Sequence, residues 1–103
     1  MIRLTAMPAN NLIRKMVGLI GKQKPEPLLI KTRFGIHTLG LKFPIDVIVL
    51  NKKNTVMTLK KSLKPNRFFL WNPIYNTIIE LPRGTIEKES IKINSAIDIN
   101  LTK

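Results

Sequence analysis

His37, Asp46 and Glu80 are the residues whose types and positions single them out for acid–base chemistry in this chain. His37 is the only histidine, and Asp46 is one of two acids before Trp71. A carboxylate hydrogen-bonded to an imidazole orients the ring and raises its basicity, as a catalytic dyad requires. Two carboxylates facing one cleft, Asp46 and Glu80, could cleave a glycosidic bond. A hydrolase or carbohydrate-active protein using His37, Asp46 and Glu80 is therefore one reading. No nucleophile supports it. Ser62, Ser90 and Ser95 lie in turn or irregular sequence without an elbow motif. Asp46 also opens the apolar run Val47-Ile48-Val49-Leu50, where a carboxylate is costly to bury unless paired. A structural role takes precedence: a pair with His37, or separate caps on loop N–H groups around Pro44. Glu80 falls at a strand end on the face of Ile78, turned to solvent or paired with Arg33, Arg67 or Arg83.

A second set of residues suggests binding. Lys60, Lys61, Lys64 and Arg67 precede Phe68, Phe69, Trp71 and Tyr75. Cations neutralise phosphates and rings stack bases, which is how single-stranded nucleic acid is held. The competing reading makes the rings core and the lysines a solvated rim. It places Trp71 largely buried, its indole N–H bonded to a loop carbonyl near Asn72 or Asn76. The formal net charge of +12 invites a polyanion partner, although a basic surface alone also serves solubility. The charge is uneven. Fourteen of the 18 cations precede Trp71, where Glu26 and Asp46 are the only acids.

Other chemistry is excluded or unsupported. The absence of cysteine removes disulfides, thiolate nucleophiles and cysteine metal sites, and one histidine cannot make a multi-histidine site. No metal is expected. Gly18-Leu19-Ile20-Gly21 echoes a nucleic-acid GXXG loop, but Pro25 and Pro27 deny it the second helix. Gly35 and Gly40 lack the following Gly-Lys-Ser/Thr of a phosphate loop. No cofactor is expected. The run Leu12–Ile20 is too short to span a bilayer and is broken by Arg14 and Lys15. No membrane partner and a cytoplasmic location follow as expectations.

The elements that must position these residues are mostly strands. Asn10 and Asn11 can cap a helix whose apolar residues Leu12, Ile13, Met16, Val17 and Ile20 share one face, with Gly21 as C-cap. Leu28–Thr32 and Ile36–Leu41 read as short strands. Asp46–Leu50 and Thr55–Leu59 form a hairpin around Asn51–Asn54. Residues 62–73 read as irregular, with Pro65 and Pro73 as punctuation. Asn76–Leu81 is a strand, Thr85–Glu89 one helical turn, and Ile91/Ile93 and Ile97/Ile99/Leu101 alternate with polar residues as in a half-buried strand. Length, at 103 residues, suits one domain over 1–103. The class is mainly β (all-β to α+β): a compact antiparallel sandwich or small barrel with one N-terminal helix and one short helical turn.

Three stretches carry a family resemblance. They are Val17-Gly18-Leu19-Ile20-Gly21-Lys22, the long run from Ile36 to Val47 (His-Thr-Leu-Gly-Leu-Lys-Phe-Pro-Ile-Asp after the first isoleucine), and Glu80-Leu81-Pro82-Arg83-Gly84. In this order they resemble the domain-of-unknown-function family number one hundred ninety-two, over about Val17–Ile99. The resemblance implies a jelly-roll-like β domain and no assigned activity. Leu41 stands where the family has methionine, Arg83 where it has a small residue, and Asn94-Ser95 where it has a Gly-Asp turn. Asn tolerates a left-handed backbone, so the last turn is expected to persist. The resulting expectation is an uncharacterised binding or interaction module without catalytic activity. A nucleic-acid or polyanion binder and the hydrolase are its alternatives.

Overall fold

The computed structural model describes residues 2–9, 27–33, 35–38 and 41–101. The helix expected from Asn10 to Gly21 lies outside them. Among the described residues eight strands and one helical turn follow one another: β1 (Ile2–Ala9), β2 (Leu28–Lys31), β3 (Ile36–His37), β4 (Ile45–Leu50), β5 (Val56–Leu63), β6 (Phe68–Phe69), β7 (Thr77–Pro82), α1 (Thr85–Lys88) and β8 (Ile97–Leu101). The mainly β class is as expected. Of the two alternating runs late in the chain, Ile97–Leu101 is a strand, whereas Ile91 and Ile93 lie in a turn region. Six strands form one sheet in the order β5-β4-β7-β2-β1-β8, and β3 pairs with β6 in a separate two-stranded piece.

The sheet curls into a half-barrel. Its two outer strands meet at one end, where Thr55 bridges Ala96. There the Val56 N–H donates to the Ser95 carbonyl and the Ile97 N–H to the Asn54 carbonyl, both at 2.9 Å. Asn94 takes the left-handed conformation (φ 76°) and donates its N–H to the Val56 carbonyl at 2.8 Å. The Asn-Ser turn therefore does the work of a Gly-Asp turn.

Between sandwich and small barrel, the curled sheet lies nearer the barrel. From β5 to β2 every pairing is antiparallel, but β1 runs parallel to both β2 and β8. A parallel return needs a dozen or more connecting residues, and the stretch 10–27 supplies them. No strand is expected before Asn10, yet Ile2, Leu4 and Ala6 alternate with Arg3 and Thr5, and Leu4 and Ala6 are buried.

The central strands are covered on both faces. All six residues of β4 and five of β7 are buried, so both read as continuous apolar runs broken by Asp46 and Glu80. One face carries Ile48, Leu50, Ile79 and Leu81 and packs against Ile86 of α1, Ile91 and Ile97. The other carries Ile45, Val47, Val49 and Ile78 and packs beneath Ile36, Phe43, Phe69, Trp71 and Tyr75. That covering layer consists of the β3–β6 piece and the loop after it. In β6 and the residue pair beyond, Phe69 and Trp71 turn inward, their rings 5.8 Å apart, while Phe68 and Leu70 turn outward.

Candidate functional site

Asp46 is 1% exposed and belongs to neither a dyad nor a carboxylate pair. Its Oδ1 accepts the Ser62 N–H at 2.9 Å, and its Oδ2 accepts the N–H groups of Gly84 at 3.1 Å and Ile86 at 2.9 Å. The sequence creates this need locally. Ile45 pairs with Leu63 but Val47 with Lys60, so β5 carries an extra residue opposite Asp46. Ser62, at φ 51°, turns its N–H out of the ladder at this bulge. On the other side, Gly84 and Ile86 begin α1, whose first N–H groups have no helical partner. One carboxylate satisfies all three donors.

Register separates the three acid–base candidates. Asp46 lies opposite Leu81 and Val47 opposite Glu80. Successive strand residues alternate in direction, so Asp46 and Glu80 point to opposite faces of the sheet. Asp46 shares the face of Ile48 and α1; Glu80, 3% exposed, shares the face of Ile78. His37 is on β3, in the layer over the Ile78 face, and is half-buried with its ring 6.1 Å from that of Phe68. The sheet thus stands between Asp46 and both other residues. Glu80 does not face solvent, because Ile78 and Glu80 lie beneath the covering layer.

The basic candidates are brought together more closely. Lys60, Lys64 and Arg67 line one cleft of about 320 Å³ with Ser62, Leu63 and Phe68. All three cations are exposed, and Phe68 is 69% exposed. Lys61 points elsewhere: its ammonium lies 3.5 Å from Glu87, beside a smaller cavity with Asp46 and Arg83. Alternation along β5 separates it from Lys60. Trp71 is half-buried, less than expected, and its indole N–H donates to the Tyr75 carbonyl at 2.9 Å.

Thr38 is the positioning residue that residue types alone did not reveal. It is fully buried. Its hydroxyl donates to the Lys64 carbonyl at 2.6 Å and accepts the Arg67 N–H at 2.9 Å. Its backbone adds two bonds to the same turn, donating to the Arg67 carbonyl at 2.9 Å and accepting the Asn66 N–H at 3.0 Å. The turn at Asn66 is left-handed, φ 61°. Thr38 holds the 64–67 turn from one side while Asp46 holds Ser62 from the other. Both come from the His-Thr…Pro-Ile-Asp run, and together they fix the segment that lines the cleft. A threonine eight residues before a buried aspartate was the available signal.

Among the described residues no group of three His, Cys, Asp or Glu side chains could hold a metal ion. No helix among them is long and apolar enough to cross a membrane.

Fold and site together define a small, mainly β domain with a cation-lined cleft at one end of a curled sheet. Solved structures with this fold include a protein of unknown function from Novosphingobium aromaticivorans (TM-score 0.69, 14% identity, covering 89% of this chain and 70% of that one). A candidate transcription regulator from Sinorhizobium meliloti shares it too (TM-score 0.65, 13% identity, covering 89% and 76%). No family model matches the chain. It is 35% identical over 106 residues to the UPF0127 protein PF1050 of Pyrococcus furiosus, covering 96% of this chain and 90% of the relative. The chain belongs to the UPF0127 family.

Proposed function

We propose that this domain is a non-catalytic binding module that holds single-stranded nucleic acid in the Lys60–Lys64–Arg67 cleft. One observation carries the reading: Phe68 stands 69% exposed in a cleft lined by three exposed cations. An aromatic side chain left in water forfeits about 2 kcal/mol of burial, and alternation along β6, with Phe69 turned inward, keeps the Phe68 ring out of the core. A base stacked on the ring recovers contact, while the cations neutralise the flanking phosphates. Thr38 and Asp46 hold the segment in place before any ligand arrives, which lowers the ordering cost of binding. On this reading Thr38 and Asp46, from the stretch that resembles the domain-of-unknown-function family one hundred ninety-two, are scaffolding for a loop and not catalytic groups. Residues 1–103 act as one domain, in the cytoplasm.

Anisotropy of a labelled mixed-sequence oligonucleotide tests the proposal. Binding should weaken steeply with salt, with a log–log slope of about −0.7 per phosphate neutralised on a single strand. No measurable binding at low salt would leave the charge as a solubility device.

The hydrolase reading has less support, since Asp46 is consumed by three backbone donors and is separated by the sheet from His37 and Glu80.

A further inference from the structure

A second basic cleft lies at the other end of β4. It has a volume of about 520 Å³ and is lined by Arg33, Lys52, Lys53, Ile74 and Tyr75, among others. Its three cations are exposed and Ile74 is 64% exposed. The first cleft includes Leu63, which pairs with Ile45 at the start of β4. The second includes Leu50, the last residue of β4. The five steps between Ile45 and Leu50 separate the two ends by about 17 Å.

The segment from Phe68 to Tyr75 connects the clefts, Phe68 lining one and Ile74 and Tyr75 the other. It is a fixed structure. Beyond the Trp71 bond to Tyr75, the Tyr75 N–H donates to the Asn72 carbonyl at 3.0 Å and the Ile74 N–H to Asn72 Oδ1 at 3.1 Å. Between the clefts Leu70 is 71% exposed. Phe68, Leu70 and Ile74 are therefore three exposed apolar side chains on the segment that joins two clefts of three cations each. Most single exposed apolar residues need no explanation, but three on one segment between cation-lined clefts mark a contact surface.

We propose that this segment and both clefts form one track for a single strand of about four to six nucleotides, at the short end of the range for small single-strand-binding domains. Bases lie on the exposed apolar side chains and phosphates reach Lys60, Lys64 and Arg67 at one end and Arg33, Lys52 and Lys53 at the other. This rests on the reading of the first cleft given above and extends it to a second site and a ligand length. A strand touching both clefts gains as two linked ligands do, because the second contact becomes intramolecular. Charge complementarity favours a polyanion over a second copy of this cationic chain.

Labelled oligothymidylates of two to ten residues distinguish the outcomes, measured at about 0.15 M salt, where screening acts over about 8 Å and keeps the clefts electrostatically separate. Affinity should rise about tenfold or more from three to six residues and then level off. The double variant K52E/K53E, both in an exposed turn, should abolish that rise while leaving the three-residue ligand within about threefold. An unchanged melting temperature verifies that the variant is folded. Equal affinity for three and six residues, or an equal loss for both in K52E/K53E, would overturn the track and leave the first cleft standing. No oligothymidylate binding, or binding only to vesicles of anionic phospholipid, would overturn both.

Discussion

Ile86 donates its backbone N–H to Asp46 Oδ2 at 2.9 Å, joining the first turn of α1 to a strand forty residues earlier. The bond is buried, and the same carboxylate also holds Gly84 and the β5 bulge at Ser62. Asp46 is thus a three-way fastener between β5, β4 and α1.

Asp46→Ala should destabilise the fold by about 3 kcal/mol, since three donors lose a charged acceptor and at least one stays buried. Asp46→Asn should cost less but still more than about 1 kcal/mol, because its NH2 must face one of those donors. Urea midpoints of both variants measure the effect; a midpoint unchanged in the alanine variant would remove the fastener role.

Phe68→Ala should leave the urea midpoint within about 0.5 kcal/mol of the parent, because the ring is mostly in water. The same change should weaken oligonucleotide binding about five- to a hundredfold, the loss of one stacked base. Loss of stability with unchanged binding would invert the assignment.

Replacing Lys60, Lys64 and Arg67 together with alanine should flatten the salt dependence of binding by about 2 in log–log slope, one phosphate contact each. Lys61→Ala, beside Glu87 and outside the cleft, should change the slope little. A titration series from low to moderate salt reads both.

Trp71 should emit at intermediate wavelength and show partial acrylamide quenching, in keeping with its half-buried ring. Trp71→Phe keeps most of the apolar contact but deletes the bond to the Tyr75 carbonyl. About 1 kcal/mol of stability should go with it, read as a shift in the thermal midpoint.

Gly84 and Gly35 both have positive φ, 92° and 87°, but their surroundings differ. A Cβ on Gly84 meets nothing within 4 Å, whereas one on Gly35 collides with Leu70 Cδ2 and lies 2.8 Å from the Phe69 carbonyl oxygen. Gly84→Ala should cost about 1–2 kcal/mol of backbone strain alone. Gly35→Ala should cost more and displace the β3–β6 layer, which chemical denaturation of the two variants would compare.

Residue order alone decided much of this architecture. The β-branched run after Asp46, the Asn51–Asn54 turn and the alternation from Ile97 to Leu101 each name their strand, because pleat periodicity and turn chemistry are local properties. The absence of cysteine and the single histidine narrowed the chemistry for the same reason. The parallel placement of β1 could not be read that way, since alternation marks a strand but not its partners. Nor could the fates of the acids. Asp46 and Glu80 look alike in sequence, each interrupting an apolar run, and only the β4–β7 register sends them to opposite faces. Thr38 holds the 64–67 turn through bonds spanning 26 and 29 residues, a relation that no window of neighbouring residues contains. Charge counting found the cations; whether a ring stood in water beside them depended on which side of β6 met the core.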